Sequence, residues 1–277
     1  MRIKERYIVI LIIALLLVTF LVYRSNFETA VKLATLQGYG EYSNLLNGDK
    51  FYFVDNDASK LEVFNLDKLT IENSINLPAP SKTDYNDMSS RLYLNENILI
   101  IYSTFILKRP YGTAETRVSA INMKSNSILW TTQINIVTPS AYFIDNHSIS
   151  FKGYDENLVN LDINTGKIIQ KDIPESDFQK EYNDPQKNSF TLNGVKYFTS
   201  EHPGSLSFKG NHIYGDGGKI EGKQFDYTIP GSRRDPGVNT AHLVGTYKNS
   251  LYFIQRSFDN PPTKSKFELY KITPHIN

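Results

Sequence analysis

The chain has 277 residues, with 30 basic and 29 acidic side chains for a net charge of +1, and no cysteine. A balance this even, with no basic run longer than Arg233-Arg234, excludes the clustered basic face a phosphate-backbone binder needs, so no nucleic-acid partner is expected. Without cysteine there is no disulfide, no thiol nucleophile and no lipid-modified N-terminal cysteine, and stability has to come from a buried core, for which the length is ample.

The first element is the apolar run Tyr7 to Tyr23, YIVILIIALLLVTFLVY, which carries no charge. At about 1.5 Å per residue it reaches roughly 25 Å, the short end of a membrane-spanning helix, and it lacks the polar stripe of a helix in a soluble core. The run meets Phe20, Leu21, Val22, Tyr23 and Arg24 where a cleavable signal would show small residues, so an uncleaved signal anchor is expected over residues 1–26. Arg2, Lys4 and Arg6 precede it and Arg24 and Lys32 follow, which predicts a cytoplasmic N-terminus and an external domain, periplasmic or on the cell surface, over residues 27–277.

Beyond residue 30 apolar residues alternate in short runs bounded by Asn, Asp, Gly, Ser and Pro, the pattern of strands, and no segment keeps a helical stripe; the class is all-β. One marker is an apolar strand centred on Tyr52, Leu99, Tyr142, Tyr197 and Tyr252; a second lies farther along each unit, at Asp67, Asn122, Asp162, Asp216 and Thr273, both recurring every 40 to 57 residues. Five similar units cannot each bury a face alone. Set radially, they cover one another and leave few exposed edges, which predicts a β-propeller of about five four-stranded blades, six or seven being the alternatives, behind one transmembrane helix. An irregular β-sandwich is the competing reading. The polar stretch Asn164-Thr165-Gly166-Lys167 then becomes a turn between third and fourth strands, as do Asp67-Lys68-Leu69-Thr70 and Lys124-Ser125-Asn126-Ser127. The last unit lacks a fourth strand, and Val31 to Leu36 lacks a partner, so the two chain ends are expected to pair.

The segments VNLDINTGKII and SAINMKSNSILW, ending at Trp130, resemble the repeats of the PQQ-like, quinoprotein-dehydrogenase-like propeller superfamily. The resemblance implies a propeller. It does not imply a quinone site, since those enzymes stack their cofactor between a tryptophan and adjacent cysteines whereas this chain has one Trp and no Cys. Membrane-tethered, non-catalytic relatives that serve as protein-binding platforms fit better, and no cofactor is expected.

Motifs for chemistry are weak. Asp55-Asn56-Asp57-Ala58-Ser59 opens like a calcium loop, but Lys60 and Leu66 stand where the turn Gly and the bidentate Glu belong, so it reads as a hairpin turn. The five histidines never fall at short metal spacings, and no G-x-S-x-G occurs. Neither catalytic nor metal residues are assigned. The paired aromatics Tyr52-Phe53, Tyr142-Phe143, Tyr197-Phe198 and Tyr252-Phe253 read as packing on both faces of each sheet.

Loop length separates the two rims. Turns joining first to second and third to fourth strands are short; the crossovers Pro78 to Arg91, Pro174 to Lys187 and Pro230 to Asn239, and the loops Ile106 to Thr116 and Ser257 to Lys266, are long and belong to the opposite rim. Long loops on a rigid scaffold are where recognition concentrates, although loops also lengthen at little cost. The expected function is a membrane-tethered scaffold binding another protein through this rim, with Arg233 and Arg234 in PGSRRDPG and Arg109 and Tyr111 in the Ile106 loop as the partner-binding residues. The alternatives are an inhibitor or immunity-type protein against an extracytoplasmic toxin, a glycan-binding module using Tyr85, Tyr111, Phe178 and Tyr182, and a hydrolase in the central channel.

Overall fold

The structure, a computed structural model, describes residues 13–16, 28–29, 31–38, 43–80, 85–108, 114–180, 189–192, 195–198, 205–209, 212–215, 227–228, 241–257 and 266–273. In chain order, β1 (Glu28–Thr29) and β2 (Val31–Gln37) precede a meander of β3 (Asn44–Asn47), β4 (Lys50–Val54), β5 (Lys60–Asn65) and β6 (Thr70–Asn76). A second meander holds β7 (Tyr85–Asn95), β8 (Ile98–Leu107), β9 (Ala114–Asn122) and β10 (Ser127–Ile134). A third holds β11 (Pro139–Ile144), β12 (Ser148–Gly153), β13 (Leu158–Asp162) and β14 (Ile168–Ile169), after which a 3-10 turn (Glu175–Asp177) leads to β15 (Gln179–Lys180), which pairs back onto β11. The hairpin β16 (Ser189–Leu192) and β17 (Val195–Phe198) is followed by β18 (Ser205–Lys209), β19 (His212–Gly215), β20 (Tyr227–Thr228), β21 (Ala241–Tyr247), β22 (Ser250–Ser257) and β23 (Lys266–Ile272).

The chain ends meet as expected. β2 pairs antiparallel with β23 from Val31 opposite Lys271 to Gln37 opposite Lys266, so β21-β22-β23-β2 is a four-stranded antiparallel sheet whose outer strand comes from the N-terminal side. β18 joins this sheet to β19 and β20, and β1 runs parallel to β20.

Consecutive sheets pack through their faces. Leu36, Phe267 and Leu269 of the end sheet pack with Phe51 and Phe53 of the first meander, where the Phe53 and Phe267 rings meet edge to face at 5.4 Å. The other face of the first meander, with Tyr52, Leu61 and Val63, covers Leu99, Ile101 and Ile121 of the second. The second in turn presents Tyr102, Val118 and Trp130 to Tyr142, Ile149 and Phe151 of the third. Adjacent residues on a strand point to opposite faces, which is why Tyr52 and Phe53 are both buried yet belong to different cores. The architecture is all-β and propeller-like.

The turns joining third to fourth strands are built alike. The Asn65 side-chain oxygen accepts from the backbone N–H of Asp67 and Lys68, that of Asn122 from Lys124 and Ser125, and that of Asp162 from Asn164 and Thr165. The next apolar residue in each, Leu66, Met123 and Ile163, donates its N–H to the neighbouring first turn, at Asp49, Asn97 and His147. Leu69, Asn126 and Gly166 then take up the left-handed backbone at φ 55, 51 and 68. The Asn164 to Lys167 stretch is structural, as read.

Three expectations shift. Tyr142 lies on β11, a first strand, whereas Tyr52, Leu99 and Tyr252 lie on second strands; β11 and β12 are both apolar, so the first marker locked onto the wrong one. The crossover placed at Pro78 to Arg91 is shorter, because β7 begins at Tyr85 and buries Met88 and Ser90. The stretch Pro174 to Lys187 contains the 3-10 turn and β15. As for the membrane span, residues 13–16 are helical with Ile13, Leu15 and Leu16 exposed, and no helix among the described residues is long and apolar enough to cross a membrane. The remainder of Tyr7 to Tyr23 lies outside the described residues.

Candidate functional site

In an antiparallel meander the turns after first and third strands share one rim, while the turn after the second strand and the crossover share the other. On the crossover rim the connections are fastened to strand ends. Arg117 of β9 donates Nε to Glu115 Oε1 at 2.6 Å and Nη1 to the carbonyl of Ala79, in the β6 to β7 crossover. Glu115 is buried, and the guanidinium is one partner that offsets the cost of burying its charge. Thr104 donates Oγ1 to the carbonyl of Val137 at 2.8 Å and Tyr102 its hydroxyl to that of Ile136, fixing the β10 to β11 crossover. Lys152, at the end of β12, holds Glu175 of the 3-10 turn at 2.9 Å and Glu156 at 2.6 Å. Three crossovers are thus tied down by a charged or hydroxyl side chain from a strand end.

Between these fastenings apolar side chains stay in solvent. Ile106 at the end of β8, Val137 in the crossover and Leu158 at the start of β13 are exposed, and Tyr154, in the β12 to β13 turn, is 65% exposed. A tyrosine this open offers rigid contact area with a polar tip, the kind of residue that anchors protein interfaces.

Arg109, Tyr111, Arg233 and Arg234, the residues assigned to partner binding from sequence, all lie outside the described residues, as does Tyr182. Of the aromatics considered for glycan stacking, Tyr85 packs edge-on against Phe105 at 5.5 Å and Phe178 against Phe143 at 6.4 Å, both half-buried. Those two serve packing. Tyr154 was overlooked, although it follows Gly153 where the alternation of SISFKG stops, which marks a strand end and a turn.

The Asp55 stretch joins β4 to β5 as a tight turn. Asp55 Oδ1 accepts the N–H groups of Ser59 and Lys60, and Oδ2 accepts the Ser59 hydroxyl at 2.6 Å. The carboxylate that would have opened a calcium loop is consumed by its own backbone. No group of three potential metal ligands occurs among the described residues.

One ion pair stands apart. Lys171 Nζ lies 2.5 Å from Asp145 Oδ2, 2.8 Å from Ser148 Oγ and 4.9 Å from the centre of the Phe143 ring. Burial raises the Asp145 pKa, but the Lys171 ammonium and the backbone N–H groups of His147 and Ser148 lower it further, to about 2. On the paired strands β12 and β13, Ser150 Oγ and Asn160 Oδ1 are buried without a hydrogen-bond partner. At the junction of end sheet and first meander, Asp67 accepts from Lys248 at 2.7 Å and Tyr247 at 2.9 Å. Both are saturated structural contacts, each on the rim of short turns.

No protein-family model matches the chain, and no curated protein matches it in sequence. Solved structures similar to it include the computationally designed protein Ika4, at 13% identity over 69% of this chain and 92% of that one, with a TM-score of 0.33. BamB from Moraxella catarrhalis is 9% identical over 82% of this chain and 71% of that one, TM-score 0.22. Kluyveromyces lactis Hsv2 is 12% identical over 77% of this chain, which spans 61% of its length, TM-score 0.25. With scores this low, the architecture rests on the strand pairing described above.

Proposed function

We propose that the protein is a membrane-tethered, non-catalytic β-propeller of five blades, akin to the PQQ-like superfamily, whose crossover rim binds another protein. The observation that carries this reading is the exposure of Tyr154, with Ile106, Val137 and Leu158, on a rim whose crossovers are fastened in place. Exposed apolar and aromatic residues on pre-organised loops cost little ordering entropy on binding. The five units are the three meanders, the segment holding β16 to β20, and the end sheet. The apolar run Tyr7 to Tyr23 supplies the tether, with the N-terminus in the cytoplasm and the propeller outside it.

Photo-crosslinking on the full-length protein in its own membrane tests this. A photoreactive residue at Tyr154 or Ile106 is expected to capture one discrete partner, and one at Lys124 or Lys167, in the short turns, to capture none. Arg233→Ala with Arg234→Ala is expected to weaken capture without lowering the melting temperature. Capture from the short-turn rim alone would overturn the assignment.

A further inference from the structure

The short turns carry a second set of exposed apolar side chains that neither the cores nor the proposed partner rim explains. Leu69 and Ile71 lie in and just after the β5 to β6 turn, Leu129 just after the β9 to β10 turn, and Ile168 just after the β13 to β14 turn, at 66% exposure; Val31 starts β2. Each therefore sits near the start of an outermost strand, on the same rim. The same turns each hold an exposed lysine: Lys68, which is salt-bridged to Glu72 at 2.5 Å, and Lys124 and Lys167. Leu69 is the sharpest case. Its backbone is left-handed at φ 55, where the equivalent positions hold Asn126 and Gly166, so a bulky residue is kept exposed at a conformational cost that Asn or Gly avoids.

The course of the chain says what lies opposite. β1 is parallel to β20, and β2 is antiparallel to β23, so the chain enters the outer strand of the end sheet from the short-turn side. The apolar run ends at Tyr23, and only seven residues, 24–30, separate it from Val31. Fully extended they reach about 25 Å. A tether that short, arriving at this rim, holds the rim close to the bilayer surface. Leucine and isoleucine interleaved with lysine suit that boundary: the apolar groups enter the headgroup region while the ammonium groups of Lys124 and Lys167 stay with lipid phosphates.

We infer that the short-turn rim rests on the membrane surface, with Leu69, Ile71, Leu129 and Ile168 seated among anionic lipid headgroups, and that the crossover rim is thereby presented away from it. This rests on the tether in the proposed function. Because the chain has no cysteine, single cysteines report position cleanly. Full-length Ile71→Cys, Leu129→Cys and Ile168→Cys, and separately Ile106→Cys and Tyr154→Cys, are labelled with bimane and reconstituted into phosphatidylcholine and phosphatidylglycerol vesicles carrying a headgroup nitroxide lipid. The expected result is blue-shifted, quenched emission at 71, 129 and 168, and unquenched emission at 106 and 154. Equal quenching on both rims, or quenching confined to 106 and 154, overturns the inference, as does protection of 71, 129 and 168 by a second protein in vesicles without nitroxide. Alkaline carbonate separates the two failures. Release of the chain from the vesicles overturns the tether and this inference together, whereas retention without quenching overturns this inference alone.

Discussion

The indole N–H of Trp130, on β10, donates to the carbonyl oxygen of Ile163 in the next sheet at 2.8 Å, and its ring lies against Gly166 of the same turn. Thr132 adds a bond from Oγ1 to the Gly166 carbonyl at 2.6 Å. One outer strand thus reads the turn of its neighbour through a ring, a donor and a hydroxyl. Trp130→Ala should cost about 3–5 kcal/mol in urea denaturation. Trp130→Phe should cost less, about 2 kcal/mol, since it keeps most of the packing and leaves the buried carbonyl unpaired.

Gly166 and Leu69 occupy equivalent left-handed positions and should respond with opposite signs. A Cβ at Gly166 would fall 2.5 Å from the Trp130 ring, at φ +68. Gly166→Ala should destabilise by about 2 kcal/mol. Leu69→Asn, at an exposed turn, should stabilise by about 1 kcal/mol. Thermal melts of the two variants and the parent decide this, and a loss of stability in both would contradict the equivalence of the turns.

Asp145 makes part of the stability acid-sensitive. Its folded pKa, about 2, lies below the ordinary 3.8, so its contribution is complete above pH 4 and is lost as pH falls towards 2. Asp145→Asn should lower stability at pH 7 and flatten the decline over that window. Denaturation midpoints measured at intervals from pH 7 to pH 2 supply the comparison; parallel curves for parent and variant would refute the assignment.

The junction of the chain ends should be a weak point disproportionate to its length. Leu36 is buried in the core shared by β2, β23 and the first meander. Leu36→Ala should cost about 2–4 kcal/mol, and deletion of residues 1–37 should expose the edge of β23 and yield soluble aggregates by light scattering.

The third-to-fourth turns were legible as turns, because Asn122 and Asp162 are followed at fixed distance by a residue that must go left-handed, but in the first unit the equivalent acceptor is Asn65, two residues before the Asp67 read as the marker. Pairing of Val31 to Leu36 with the last strand was legible by a count of unpartnered edges. β7 was not, since Asp87, Ser89 and Ser90 have low strand propensity and are held there by the ten ladder positions of β7 against β8, a tertiary effect. The rim fastenings were invisible for a similar reason. Glu115 and Arg117 are adjacent on one strand face, but their meaning depends on Ala79, brought near only by the crossover. Tyr154, in contrast, could have been found from the break in alternation at Gly153.

Lys32 and Glu268, a salt-bridged pair across β2 and β23, are separated by 236 positions in sequence. β2 therefore waits, with one edge unpaired, until nearly the whole polypeptide has left the ribosome. Contacts of such separation slow folding and leave an adhesive edge open meanwhile. A chain truncated by premature termination between Lys180 and Lys266 would retain three meander-like sheets yet never acquire the partner of β2. Translational arrest should accordingly convert this protein into a substrate for quality-control proteases, even though most of its core could already have formed.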